Sequence, residues 1–146
     1  MRIDTNIKGK PFNYRVVIVT LDSHSAGPCG RAASRLSKDF PGLIVEVHAA
    51  AEWGECPGAL EKAKLAVESG DIIIVNLLFL EEHVKAILPS LEIRRSNCDA
   101  IGGVISDGAI VKLTRMGELD MSAPQSSAMK LLKKLRGASK STVESG

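Results

Sequence analysis

Four apolar runs rich in valine and isoleucine recur along the chain, and segments of helical length separate them. The runs are continuous rather than alternating between apolar and polar residues, which is typical of strands that are covered on both faces. Strands that alternate with helices predict a parallel sheet with right-handed crossovers. The predicted strands are residues 14–21, 43–48, 71–78 and 99–106.

The segments between the runs carry the proline and glycine signals that begin and end helices. Pro89 falls inside the third predicted helix, where it is expected to kink or break it. We therefore predict an α/β fold with an open, mainly parallel sheet of about four strands in the order 2-1-3-4. Helices lie on both of its faces, as in flavodoxin-like and Rossmann-like domains. The predicted helices are residues 28–38, residues 58–69, a segment that begins at Glu81, and residues 107–116.

The charge distribution separates a folded body from its flanks. We predict a flexible leader over 1–13, the α/β domain over 14–121, and a linker with a short basic amphipathic segment over 122–146. The linker holds five basic residues and one acidic residue, a balance of +4, so the other 14 basic and 16 acidic residues balance at −2. Five aromatic residues leave no set on which nucleic-acid bases could stack, and no apolar stretch is long enough to span a membrane. We expect neither nucleic acid nor a membrane span.

All three histidines lie close to the end of a predicted strand. His24 follows the first strand, His48 ends the second, and His83 opens the helix after the third. Because the carboxyl ends of parallel strands share one edge, the three imidazoles can converge there. Converging imidazoles can bind a metal ion, and one imidazole can ligate a metal held in a tetrapyrrole. The alternative is that each ring hydrogen-bonds to nearby backbone in its own loop.

The loop after the first strand reads D-x-H-x-x-G, through Asp22, His24 and Gly27. The aspartate can orient the imidazole, and the glycine permits a tight turn with close backbone approach. This pattern resembles the cobalamin-binding motif of methionine synthase and the mutases, in which the histidine ligates cobalt. Gly102 and Gly103 correspond to the later glycine pair of that motif, whereas its middle Ser-x-Leu element is not reproduced.

Other chemistry-bearing patterns give weaker signals. Neither G-x-G-x-x-G nor a Walker A motif occurs, so a phosphate cradle for dinucleotides or P-loop nucleotides is not predicted. Asp107 is expected to cap a helix, and Trp53 either stacks on a flat ligand or packs against a helix. The sequence nominates no catalytic and no metal-binding residue. The candidate ligand contacts at the carboxyl edge are Asp22, His24, Gly27, His48, Trp53, Glu81 and His83.

Four segments resemble, in order, the start of the large, porphyrin-binding H subunit of magnesium chelatases. They read VVIVTLDSH, VHAAAEW, LFLEEH and VKLTRMGELDM, and the resemblance covers roughly residues 14–136. It implies the N-terminal domain of a subunit that binds protoporphyrin IX while two partner subunits form an ATP-driven motor for magnesium insertion. That reaction leads to chlorophyll and bacteriochlorophyll. The family's large subunit is many times longer than this chain, so no catalytic residue carries over, and the domain alone is not expected to be an enzyme.

Two functions are compatible with this resemblance. The domain is either a docking or gating module for the remaining large-subunit domains or the ATPase motor subunits, or a tetrapyrrole-contacting domain that uses His24. A free-standing flavodoxin is disfavoured, because the aromatic residues that flank a flavin ring are absent. A receiver domain is disfavoured, because its acidic cluster is absent. Three widely spaced cysteines without a CxxC pair indicate a reducing compartment. The expected location is the cytoplasm, or the plastid stroma for a plant or algal source.

Overall fold

The computed structural model describes residues 13–123 and residues 132, 134 and 135 of the 146-residue chain. The predicted leader lies outside these residues apart from Asn13, and so does most of the predicted linker. Two short 3-10 turns precede α1 and α2, at Ser23–Ser25 and Ala50–Glu52. The elements are β1 Tyr14–Thr20, α1 Ala26–Asp39, β2 Leu43–Ala49, α2 Ala59–Ser69, β3 Ile72–Asn76, α3 Glu81–Arg95, β4 Ala100–Val104, α4 Gly108–Val111, β5 Arg115–Met116 and β6 Leu119–Asp120.

The strands form one six-stranded sheet in the order β2-β1-β3-β4-β5-β6. β1 pairs in parallel with both β2 and β3, and β4 pairs in parallel with β3, so the predicted order of the first four strands is confirmed. The α/β fold class with an open, mostly parallel sheet is confirmed with it. Within the described residues, no helix is both long enough and apolar enough to cross a membrane.

The end of the domain differs from the predicted helix over 107–116. α4 has only four residues, and the chain then forms the antiparallel hairpin β5–β6, which turns at Gly117 with a φ of 57°. The Arg115 guanidinium donates to the carbonyl of Arg95, and the Arg95 guanidinium donates to Asp120. The predicted long helix is wrong, because these long-range bonds hold the hairpin against the end of α3.

Pro89 lies inside α3 without ending it, so of the predicted kink or break the break is excluded and the kink stays a prediction. A proline in a helix removes the hydrogen bond to the carbonyl four residues earlier, here that of Lys85. Both residues are exposed, so water can satisfy that carbonyl. α3 is also anchored along its length by buried Val84, Ile87 and Leu91.

The core lies on one face of the sheet. A right-handed crossover from β1 to β2 places α1 on one face, and the crossovers back across the sheet place α2 and α3 on the other. α2 and α3 contact each other and cover the buried side of the strands, whereas α1 contributes no buried residue. The fully buried strand residues beneath α2 and α3 are Val17, Val19, Ile73, Val75 and Ile101.

Gly103 is a position where the backbone of α4 approaches the sheet. A Cβ atom added at Gly103 would lie 2.9 Å from the carbonyl oxygen of Ile110, whereas one at neighbouring Gly102 would meet only the end of the Met116 side chain, at 3.8 Å. The first contact is with backbone atoms, which cannot move aside as a flexible side chain can. The second is an ordinary van der Waals contact.

We predict that Gly103→Ala lowers the free energy of unfolding by about 1–3 kcal/mol, because it overpacks a rigid contact. Gly102→Ala is the matched control and is expected to change stability by less. Urea denaturation followed by circular dichroism measures both. Equal losses in the two variants would contradict the close approach of α4.

Candidate functional site

Three of the predicted ligand contacts meet where β2 and β3 end. His48 is aligned with Val19 of β1, so its side chain lies on the face that α2 and α3 cover. Trp53 directly follows the Ala50–Glu52 turn, and His83 lies in the first turn of α3. The rings of Trp53 and His83 meet edge to face, with centroids 5.6 Å apart and an interplanar angle of 78°. This cluster is called the His–Trp cluster below.

A small cavity adjoins the His–Trp cluster, with a volume of about 170 Å³. The loop that forms its wall is closed by backbone hydrogen bonds from Cys56 to Glu52 and from Ala59 to Cys56, and Gly58 adopts a φ of 80° at its end. Sequence reasoning missed Glu52, Cys56 and Lys62 as lining residues. The Pro57-Gly58 turn was the available signal, since it folds the loop back over β2. The lining residues are Val47, His48, Ala49, Glu52, Trp53, Cys56, Pro57, Ala59 and Lys62.

Each histidine of the cluster has one buried ring nitrogen without a hydrogen-bond partner among the described residues. The atoms are Nε2 of His48 and Nδ1 of His83. The other nitrogen of His83 lies 3.9 Å from a carboxylate oxygen of Glu82. A buried polar atom without a partner costs stability, and each nitrogen of a neutral imidazole can donate or accept one hydrogen bond. The cluster therefore offers two unused hydrogen-bonding positions beside an aromatic ring.

The protonation of His48 is shifted by its surroundings. Burial lowers the pKa of His48, and the carboxylates of Glu46 and Glu52 partly oppose this shift. The neutral imidazole is therefore favoured in the folded protein at neutral pH. A neutral ring can act as a hydrogen-bond acceptor, which an imidazolium cannot.

His24 does not join the His–Trp cluster. Its loop leads into α1, which lies on the face opposite α2 and α3, and its side chain is exposed. Asp22 accepts a hydrogen bond from the backbone N–H of His24 at 2.9 Å and thereby caps the Ser23–Ser25 turn. The hydrogen bond that the structure gives this carboxylate is to backbone, and its orientation of the imidazole stays a prediction.

The predicted tight turn at Gly27 is wrong as well. Gly27 lies in the first turn of α1, and a Cβ atom there would meet only Nη1 of Arg31, at 3.5 Å. Glu81 is exposed and forms an ion pair with Lys85 one helical turn later. Asp107 accepts a hydrogen bond from the N–H of Ala109, so its predicted role as a helix cap is confirmed.

The described residues contain no group of three or more histidine, cysteine, aspartate or glutamate side chains placed to hold a metal ion. The His–Trp cluster offers two buried ring nitrogens for hydrogen bonding and an aromatic contact.

We predict that the folded protein loses stability as the pH falls below about 6.5, the ordinary pKa of histidine. The unfolded state then binds a proton that His48 in the folded state does not bind. The loss continues until the pH passes the lowered pKa of His48. Replacing His48 with glutamine is expected to reduce this loss, which urea denaturation at several pH values measures.

His24→Gln is the matched control for this prediction, since His24 is exposed. It is expected to leave the pH dependence of stability as it is in the unchanged chain. An identical pH dependence in His48→Gln and the unchanged chain would show that His48 does not titrate as its burial implies.

Comparison with known proteins identifies relatives of this domain. Residues 15–146 match a family model described as a domain of unknown function, DUF3479. The chain is 57% identical over 133 residues to the magnesium-chelatase H subunit of Cereibacter sphaeroides, covering 91% of this chain and 11% of that protein. It is 55% identical over 130 residues to the magnesium-chelatase H subunit of Rhodobacter capsulatus, with 89% and 11% covered. The chain thus spans about one-ninth of the length of these curated relatives, and the predicted resemblance is confirmed.

Proposed function

Because this chain belongs to the DUF3479 family and aligns along most of its length with magnesium-chelatase H subunits, we propose that it is a docking or gating domain of such a subunit. The observation that carries the proposal is the pairing of 57% identity with coverage of only 11% of the relative. A domain this similar and this small relative to the whole occupies a fixed place in a much larger protein. Its partners are the remaining large-subunit domains and the ATPase motor subunits.

The size of the cavity beside the His–Trp cluster argues against a porphyrin enclosed at that cluster. Sites for drug-sized ligands are usually about 300–1,000 Å³. The cavity beside the His–Trp cluster has about 170 Å³ and cannot enclose a tetrapyrrole. In this proposal protoporphyrin IX and magnesium are substrates that bind to the rest of the large subunit. The isolated domain has no catalytic role, and the whole enzyme works in chlorophyll or bacteriochlorophyll biosynthesis, in the cytoplasm or the plastid stroma.

A second candidate function is contact with one edge of the tetrapyrrole. The observation that favours it is the pair of unpartnered nitrogens on His48 and His83, which lie beside the ring of Trp53. Such groups could bind a porphyrin carboxylate or stack on its edge without enclosing the macrocycle. His24, the cobalamin-like candidate of the sequence, is separate from this group and would have to contact a ligand from the α1 side.

We predict that deleting residues 1–121 from a full-length large subunit leaves porphyrin binding intact and reduces ATP-dependent magnesium insertion at least about tenfold, or about 1.4 kcal/mol in the barrier. The reason is that a docking domain positions other parts of the enzyme without holding the substrate. Fluorescence titration with protoporphyrin IX and a magnesium-insertion assay with the motor subunits measure the two effects. Lost porphyrin affinity with intact assembly would favour the second candidate, and unchanged insertion would contradict both.

Point variants in the full-length subunit separate the two candidates without a deletion. Under the docking proposal, His83→Asn and His24→Asn each leave the porphyrin dissociation constant unchanged within the error of the titration. If the His–Trp cluster contacts the tetrapyrrole, only His83→Asn weakens binding. If the cobalamin-like loop does so, only His24→Asn weakens it.

A further inference from the structure

Two residues just beyond β3 and β4 have left-handed backbone although neither is glycine. Leu77 has a φ of 57° and Ile105 has a φ of 45°. Such a conformation is uncommon for any residue with a side chain and is a true outlier for a β-branched one. Strain of this kind persists only where the surrounding structure imposes it, and it concentrates at sites that bind or switch.

Hydrogen bonds between the two loops impose this conformation. The N–H of Leu77 donates to the carbonyl of Val104 at 3.3 Å, and the N–H of Asp107 donates to the carbonyl of Leu78 at 2.8 Å. The Leu78 N–H also donates to the hydroxyl of Ser106, at 3.2 Å. The loops after β3 and β4 are therefore held together as one rigid unit at the carboxyl end of the sheet.

This unit presents large apolar side chains to solvent. The exposed fractions are 52% for Phe79, 50% for Leu80, 50% for Val104 and 65% for Ile105. These four residues are called the apolar edge below. Single exposed apolar residues are ordinary on protein surfaces, whereas a contiguous group on a rigid support marks an interaction site.

The surroundings of the apolar edge are acidic. The segments 21–25, 50–58, 77–82 and 105–107 connect strands to helices at this end of the sheet, and they contain no lysine or arginine. A partner that matches this surface is apolar at its centre and carries lysine or arginine around it. The carboxylates at this end are Asp22, Glu52, Glu55, Glu81, Glu82 and Asp107, of which Glu81 is paired with Lys85 of α3.

We propose that the apolar edge is the surface on which the following part of the large subunit packs, through an apolar contact ringed by basic side chains. This inference rests on the proposed function and adds the surface and the partner to it. About nine-tenths of each curated relative lies outside the aligned region, so most of the subunit is available as a covalently linked partner. Covalent linkage raises the effective concentration of such a partner to the millimolar range.

The path of the chain supports this choice of partner. Asp120 is aligned through Arg115 with Ile101, three residues before Val104, so standard strand spacings place Asp120 about 14 Å from the apolar edge. β5 is antiparallel to both β4 and β6, so β6 runs parallel to β4. The polypeptide therefore leaves Asp120 from the level of the start of β4, in the direction of the acidic carboxyl end.

Hydrogen exchange tests the proposal directly. The 146-residue chain and a full-length large subunit that contains it are compared by mass spectrometry, over peptides that cover 77–82 and 104–108. We expect exchange in these peptides to slow at least about tenfold in the full-length subunit. Peptides around Leu65 and Ile93, which are apolar residues exposed on α2 and α3, are expected to exchange at the same rate in both proteins. Equal rates at the apolar edge would overturn the proposal.

Two variants make the test independent of folding. Phe79→Glu in the full-length subunit is expected to return the edge peptides to the rate of the 146-residue chain, whereas Ile93→Glu, at a residue with 73% exposure, is expected not to. Ile105→Gly relieves the left-handed strain, so the thermal midpoint of the 146-residue chain should rise while protection in the full-length subunit falls. Protection that survives both edge variants would overturn the proposal.

The same experiment distinguishes other occupants of the apolar edge. Protection that is present in the 146-residue chain and lost on truncation after Ala123 would identify its own basic segment. Protection that depends on protein concentration would identify a second copy, and protection that needs the motor subunits would identify those. Each of these results overturns the proposal. The magnesium-insertion assay reports separately on the proposed function, so its failure and the failure of this inference are distinguishable.

Discussion

The parallel pairing of β1 with both β2 and β3 is the constraint on which the rest of the structure depends. It places β1 between β2 and β3 and puts Val17 and Val19 in the core, with no exposed surface. It also fixes the direction of the crossovers, so that the connection after β1 goes to one face and those after β2 and β3 go to the other. The face that each connection takes decides on which side of the sheet the candidate residues lie.

The division explains why two histidines meet and the third does not. His48 lies at the end of β2 and His83 follows β3, and the connections after both strands cover the buried face. Trp53 lies between them in the chain and contacts His83. His24 follows the one strand whose connection crosses the other face. The sequence could show that all three residues lie near the same ends of strands. It could not show which face each loop takes, because that depends on the order of strands in space.

Sequence patterns predicted the secondary structure correctly wherever local propensity and burial favoured the same element. The four parallel strands begin and end within two residues of the predicted positions, because runs such as Ile72–Asn76 are apolar enough to define a strand alone. The hairpin β5–β6 was missed because its strands have two residues each and are held by Arg95 and Arg115, whose partners are distant in sequence. The left-handed Leu77 and Ile105 carry no sequence signal, since their conformation comes from bonds between two loops.

The uneven covering of the sheet fits a domain that belongs to a larger protein. On the face of α1, the row formed by Val16, Val45 and Ile72 is only half-buried, and α1 itself buries no residue. A purely parallel sheet normally has both faces covered, because its backbone and apolar side chains gain most stability when shielded from water. Here the face that α2 and α3 cover contains most of the buried core. The carboxyl end carries strained loops and exposed apolar side chains, so the domain has apolar surface that the proposed function would bury against the rest of the subunit.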